Sequence, residues 1–176
     1  MLLPIAVIDM KNIVLIGMPG AGKSTIGVIL AKSLLFDFCD TDLSIQKETG
    51  ESLCNTISKI GIDEFIRLEE AVISKQEFVK SVVATGGSAI YGEKAMEKLK
   101  ENGIIVYLKV SPEELKNRIK NIHTRGIAMK EGTSISELYE ERAPLYEKYA
   151  DVTIECDGKT AEECVDLIVK EAGDII

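Results

Sequence analysis

Residues 12–25 read NIVLIGMPGAGKST, and this stretch decides the fold. An apolar run with no polar alternation leads into a glycine-rich turn. Such a run is the pattern of a short strand buried on both faces. Gly17, Gly22, Lys23 and Ser24 fit the spacing G-x-x-x-x-G-K-[ST], with a strand before it and a helical pattern after it. The glycines let backbone N–H groups approach a phosphate, and the helix N-terminus adds a dipole that favours the anion. In such a loop the lysine reaches the β and γ phosphates, and the serine hydroxyl ligates Mg2+. A glycine turn that only joins strand to helix is the alternative. It leaves the full motif in its full context unexplained.

Outward from the loop, strand patterns recur at 36–40 (FDFCD), 81–87 (SVVATGG), 104–110 (IIVYLKV) and 151–155 (DVTIE). Helical patterns occupy 22–34, 52–60, 62–79, 92–101, 112–121, 134–149 and 160–172. Ser111-Pro112-Glu113-Glu114 carries a cap, a first-position proline and first-turn acids. Strands alternating with helices predict a five-stranded parallel sheet covered on both sides, with ligands beyond the carboxyl ends of the strands. Residues 10–176 read as one domain, and 1–9 as an N-terminal extension. The stretch 122–134, IHTRGIAMKEGTS, has weak periodicity and reads as a lid.

The bulk numbers narrow the partners. A chain of 176 residues is long enough for a single sizeable core. Its net charge of −8 argues against a nucleic-acid footprint or an anionic-membrane binder, which need a basic face. Four cysteines without CxxC spacing and one histidine, His123, give a zinc site little support and suit free thiols in a reducing compartment. The start, MLLPIAVIDM, lacks the basic region and cleavage site of a secretory signal. The expectation is a cytoplasmic protein, a monomer or weak homo-oligomer, acting on a small molecule.

The second strand ends in Cys39-Asp40-Thr41-Asp42. On extended backbone Asp40 and Asp42 would share a face and point toward the phosphate loop. One carboxylate beside Mg2+ and one beside an acceptor hydroxyl would make a metal-positioning and base pair. The competing reading is a loop that caps the next helix, since Asp and Thr are good caps.

The phosphate loop, DTD about twenty residues later, ATGGS at 84–88 and LYEERAPLYEKYAD at 138–151 together resemble the shikimate kinase family. The resemblance runs from about Met10 to the end of the chain. It implies a three-layer αβα P-loop NTPase fold of the nucleoside-monophosphate-kinase type, and transfer of the ATP γ-phosphate to the 3-hydroxyl of shikimate with Mg2+. Carried over by position, Gly17, Gly20, Ala21, Gly22, Lys23, Ser24 and Thr25 would line the nucleotide phosphates. Ser24 and, through water, Asp40 would hold Mg2+. Asp42 would contact the acceptor and act as base. Gly86 and Gly87 would offer backbone N–H groups to the acceptor, and Arg142 would pair with its carboxylate. Arg118 would lie near the adenine, with the turn at 156–160 beside it, and Arg125 would neutralise the transferring phosphoryl group.

Three departures fall on the acceptor half. Within GIDEFIRLEE (61–70), Ile66 stands where the family has a second carboxylate-binding arginine. Losing one such contact would cost ~2–3 kcal/mol, roughly a hundredfold in affinity. One helical step turns a side chain by about 100°, so Arg67 is a poor replacement. Ser88 replaces a third glycine. Arg125-Gly126-Ile127 replaces Arg-Pro-Leu, and Gly126 would loosen the lid. The pattern leaves room for another small alcohol as acceptor, or for a nucleotide-binding regulatory module without catalysis. The retained DTD, TGG and RAPLY argue against a nucleotide, gluconate-type or adenylylsulfate-type kinase on the same fold.

Overall fold

The computed structural model describes residues 11–119 and 126–172. Five parallel strands form its centre: β1 (Asn12–Ile16), β2 (Asp37–Asp40), β3 (Ser81–Ala84), β4 (Gly103–Lys109) and β5 (Val152–Glu155). Their order is β2-β3-β1-β4-β5. β1 pairs with β3 through Ile13↔Val82 and Leu15↔Ala84, and with β4 through Asn12↔Gly103 and Ile16↔Tyr107. β1 is buried along its whole length, as an unbroken apolar run in mid-sheet requires.

The helices are α1 (Lys23–Leu34), α2 (Thr41–Thr49), α3 (Leu53–Ile60), α4 (Ile62–Lys75), α5 (Glu93–Glu101), α6 (Pro112–Arg118), α7 (Ile135–Tyr149) and α8 (Ala161–Ala172). A single 3₁₀ turn spans Ala89–Tyr91. Right-handed crossovers put α1 on one face of the sheet and α4, α5 and α7 on the other. α8 packs against α1. Among the described residues no helix is long and apolar enough to cross a membrane.

Several expectations are corrected. The strand predicted at 81–87 stops at Ala84, and Thr85-Gly86-Gly87 turns away from the sheet. The helix predicted at 62–79 ends at Lys75. The helix α2 begins at Thr41, so Asp40 and Asp42 are not two residues of one strand face. Asp40 ends β2 and caps α2, accepting from the Asp42 amide at 3.0 Å, and Asp42 stands in the helix's first turn. Gly126 does not read as a loose joint. It has φ +64°, and a Cβ there would come within 2.7 Å of the Cys54 amide nitrogen, so the glycine lets its segment lie close against the start of α3.

Candidate active site

The phosphate loop leaves β1 at Ile16 and enters α1 at Lys23, with Gly22 as the helix cap. No side chain caps that N-terminus, so its amides remain for an anion. Lys23 is buried, and its Nζ donates to the carbonyls of Gly17 (2.7 Å) and Met18 (2.9 Å). Burial lowers its pKa to about 8, Arg142 lowers it further, and Asp42, Asp40 and Glu69 oppose the fall.

Ser24 Oγ donates to Asp40 Oδ2 at 2.6 Å. Two hard oxygen donor groups are thus paired beside the loop. Among the described residues no group of three or more His, Cys, Asp or Glu side chains could hold a metal ion. That donor set fits Mg2+, which takes one or two protein oxygens and completes its shell with water and phosphate.

The loop and the end of β2 open into one cavity of about 520 Å³. Its walls include Gly20 to Ile26, Asp42, Phe65, Gly86, Gly87 and Arg142. Burial pushes Asp42 up to about 6, Asp40 adds to the rise, and Lys23 opposes it. Arg142 is 1% exposed and held on three sides. Its Nε donates to the Tyr91 hydroxyl (3.2 Å), its Nη2 donates to the Ala128 carbonyl (2.5 Å), and its guanidinium lies 5.3 Å from the Tyr91 ring centre. The Tyr146 hydroxyl donates to the Gly87 carbonyl at 2.7 Å, which ties α7 to the glycine turn.

Gly86 does not offer its amide as expected. That N–H is donated to Thr41 Oγ1 at 3.0 Å, inside a fully buried contact that locks the turn to the start of α2. The glycine serves another need: a Cβ at position 86 would overlap Glu69 Oε1 and come within 2.8 Å of Asp42 Oδ1. Gly86→Ala is therefore expected to lower acceptor turnover about a hundredfold by displacing Asp42, with the Michaelis constant for ATP within about twofold. Steady-state kinetics with each substrate varied check this.

Other expected residues are distributed unevenly. Ala21, Gly22, Lys23, Ser24 and Thr25 all face the cavity. So does Arg118, whose Nε donates to Glu114 (3.0 Å) and whose Nη2 donates to the Cys156 carbonyl (3.4 Å). Lys159 and Thr160 line the same end, as the turn at 156–160 predicts. Arg67 is exposed and pairs with Glu64, so it does not replace the missing arginine. Phe65 contributes to the wall, and Ile66 is half-buried outside it. Arg125 and His123 lie outside the described residues.

Sequence reasoning overlooks Thr41 and Glu69. Glu69 is 1% exposed on α4, and its Oε2 accepts from Ser88 Oγ at 2.5 Å. A signal existed: Phe65, Glu69, Val72 and Ile73 form one buried helical stripe, with a carboxyl inside it.

Known proteins share this fold and sequence pattern. The family model for shikimate kinase matches residues 19–172. The shikimate kinase of Thermodesulfovibrio yellowstonii is 41% identical over 165 residues, covering 92% of this chain and 95% of that protein. The shikimate kinase of Caldanaerobacter subterraneus subsp. tengcongensis is 38% identical over 164 residues, with the same coverage of 92% and 95%. The structure of shikimate kinase from Acinetobacter baumannii in complex with shikimate superposes with a TM-score of 0.85 at 32% identity, covering 94% of both chains. On these grounds the chain belongs to the shikimate kinase family, whose members are ATP- and Mg2+-dependent kinases.

Proposed function

We propose that this protein transfers the γ-phosphate of ATP to the 3-hydroxyl of shikimate. The observation that carries the reading is that one cavity is walled both by the phosphate loop and by Asp42. Lys23 and the α1 N-terminus hold the phosphates, and Mg2+, held by Ser24 and Asp40, supplies charge neutralisation when bound. Asp42 accepts or orients the acceptor's hydroxyl proton, and Arg142 takes its carboxylate. Arg118 borders the base. Residues 122–134 act as a lid bearing Arg125, which closes over the transferring group and excludes water. The enzyme works as one kinase domain in the cytoplasm.

A second acceptor remains chemically reasonable because Ile66 leaves Arg142 as the one arginine in the described wall of the acceptor half. Coupled ADP release over a panel of small alcohols decides. Shikimate is expected to stimulate turnover more than any other compound. Stimulation by a different polyol alone contradicts the assignment, and tight ATP binding without any acceptor dependence points to a regulatory module.

A further inference from the structure

Arg142 is a buried cation in the cavity wall, 1% exposed. A buried charge is costly unless it is paired and hydrogen-bonded. Its Nε donates to the Tyr91 hydroxyl at 3.2 Å and its Nη2 to the Ala128 carbonyl, and neither partner carries charge. The acid that faces it from α4, Glu69, is itself held by Ser88. Nη1 lies beside the glycine turn, 3.0 Å from the point a Cβ on residue 87 would fill. Gly87 and Arg142 both line the cavity. The guanidinium thus brings positive charge to the acceptor half of that cavity.

It is the one arginine in the described wall there, so its orientation matters more than that of one member of a pair. An arginine side chain has many rotamers. Freezing them on binding costs affinity unless the protein has already frozen them.

Tyr91 does the freezing. It ends the 3₁₀ turn Ala89–Tyr91, which follows closely on Gly86 and Gly87. The Tyr91 amide donates to the Ser88 carbonyl at 3.0 Å, and the Gly92 amide to the Ala89 carbonyl at 3.1 Å. Just beyond, the Lys94 amide donates to Glu70 of α4 at 2.8 Å, which fixes the turn to that helix. From this footing the Tyr91 ring centre stands 5.3 Å from the guanidinium carbon, close enough for the ring to attract the cation. The hydroxyl that accepts from Nε also donates to the carboxylate of Glu141, the residue before Arg142 on α7. Burial and the Glu141 hydrogen bond raise the pKa of that hydroxyl, while Arg142 opposes the rise, so it stays a neutral phenol.

We propose that Tyr91 is a positioning residue that sets acceptor specificity: by ring and hydroxyl it holds the buried Arg142 guanidinium ready in the cavity wall, so that an acceptor bearing a carboxylate is bound without further ordering. The inference rests on the reading that the acceptor is an acid paired with Arg142. Tyr91 acts through Arg142 and does not itself take the acceptor. The proposal also gives the 3₁₀ turn a purpose, since it links the glycine turn to the arginine across the acceptor half.

Phenylalanine keeps the ring and removes the hydroxyl, whereas leucine removes both. Tyr91→Phe is expected to raise the Michaelis constant for shikimate about fivefold, and Tyr91→Leu about thirtyfold. The kcat and the Michaelis constant for ATP should stay within about twofold in both, because other elements hold the nucleotide. An unchanged shikimate constant in Tyr91→Leu overturns the proposal. A loss shared equally by both Michaelis constants, or a melting temperature many degrees lower in Tyr91→Phe, also overturns it, because Tyr91 is then a structural brace.

Nitrogen-15 NMR of the arginine Nε–H groups needs no turnover and so separates this inference from the functional reading. The Arg142 signal, assigned by its loss in Arg142→Lys, should exchange slowly with water in the ligand-free wild type. In Tyr91→Phe it should exchange about tenfold faster. Equal exchange in the two proteins overturns the hold by Tyr91 whatever the enzyme phosphorylates. A protected signal in a protein that neither binds nor turns over shikimate overturns the functional reading instead.

Discussion

Asp42→Asn is expected to lower turnover about a thousandfold while leaving ATP affinity at pH 7 within about twofold. Asparagine keeps the volume and the place in the first turn of α2 but cannot take a proton, and a positioned base contributes roughly a hundred- to ten-thousandfold. ATP affinity survives because the nucleotide phosphates are held from the other side, by the loop and α1. The pH profile adds a second signature. Asp42 sits at about 6, so the wild-type rate should fall as pH drops through that value and the base becomes protonated. Any residual activity of the variant should lack that limb. The substitution also removes the leading charge that keeps Lys23 protonated. ATP binding by the variant should therefore weaken at a lower pH than in wild type. ADP release from pH 5 to 9, with ATP affinity measured in parallel, tests all three. Full turnover by the variant would remove Asp42 from the mechanism.

Lys23→Met should have a comparable effect by a different route. The lysine is the buried cation of the phosphate loop, and its loss withdraws charge from where negative charge is redistributed in the transition state. Loss of one such donor in a closed site is worth about a hundred- to a thousandfold. ATP affinity should fall as well, which distinguishes this variant from Asp42→Asn. Stability should move the other way. Burial disfavours the charged amine, as its lowered pKa of about 8 records, so replacing it with an apolar chain of similar length relieves that penalty. The two carbonyl hydrogen bonds to Gly17 and Met18 are lost, about 1 kcal/mol each, so a melting temperature equal to or above wild type is expected. A melting temperature many degrees below wild type would make Lys23 a structural brace of the loop.

The nucleotide half of this protein is written locally. Strand, glycine loop, lysine, serine and helix follow one another in fifteen residues, and each has its own chemical reason. The acceptor half is assembled from distant segments, and there local reasoning weakens. Hydrophobic periodicity passes over α2 because TDLSIQKET offers one buried apolar side chain, Ile45, and leaves Leu43 53% exposed. Its periodicity is too faint to see. What starts it is the capping carboxylate of Asp40, the same group paired with Ser24. The two readings of DTD are therefore compatible, since the Asp40 carboxylate caps α2 through Oδ1 and pairs with Ser24 through Oδ2. Glu69 escapes for another reason. Beside Glu64, Arg67 and Glu70 it looks like part of a solvated face, although it continues the buried stripe of Phe65, Val72 and Ile73. Ile66, by contrast, is legible as a departure from the family. Its consequence depends on Tyr91 and Arg142, which are 25 and 76 residues further along the chain.

Phosphorus-31 NMR of the purified protein with ATP, Mg2+ and shikimate is the most direct test. The account predicts that the γ-phosphate signal is replaced by one phosphomonoester resonance on the acid, in step with ADP and with little free phosphate. ADP formed with inorganic phosphate alone, or no conversion beyond that seen without shikimate, would contradict it.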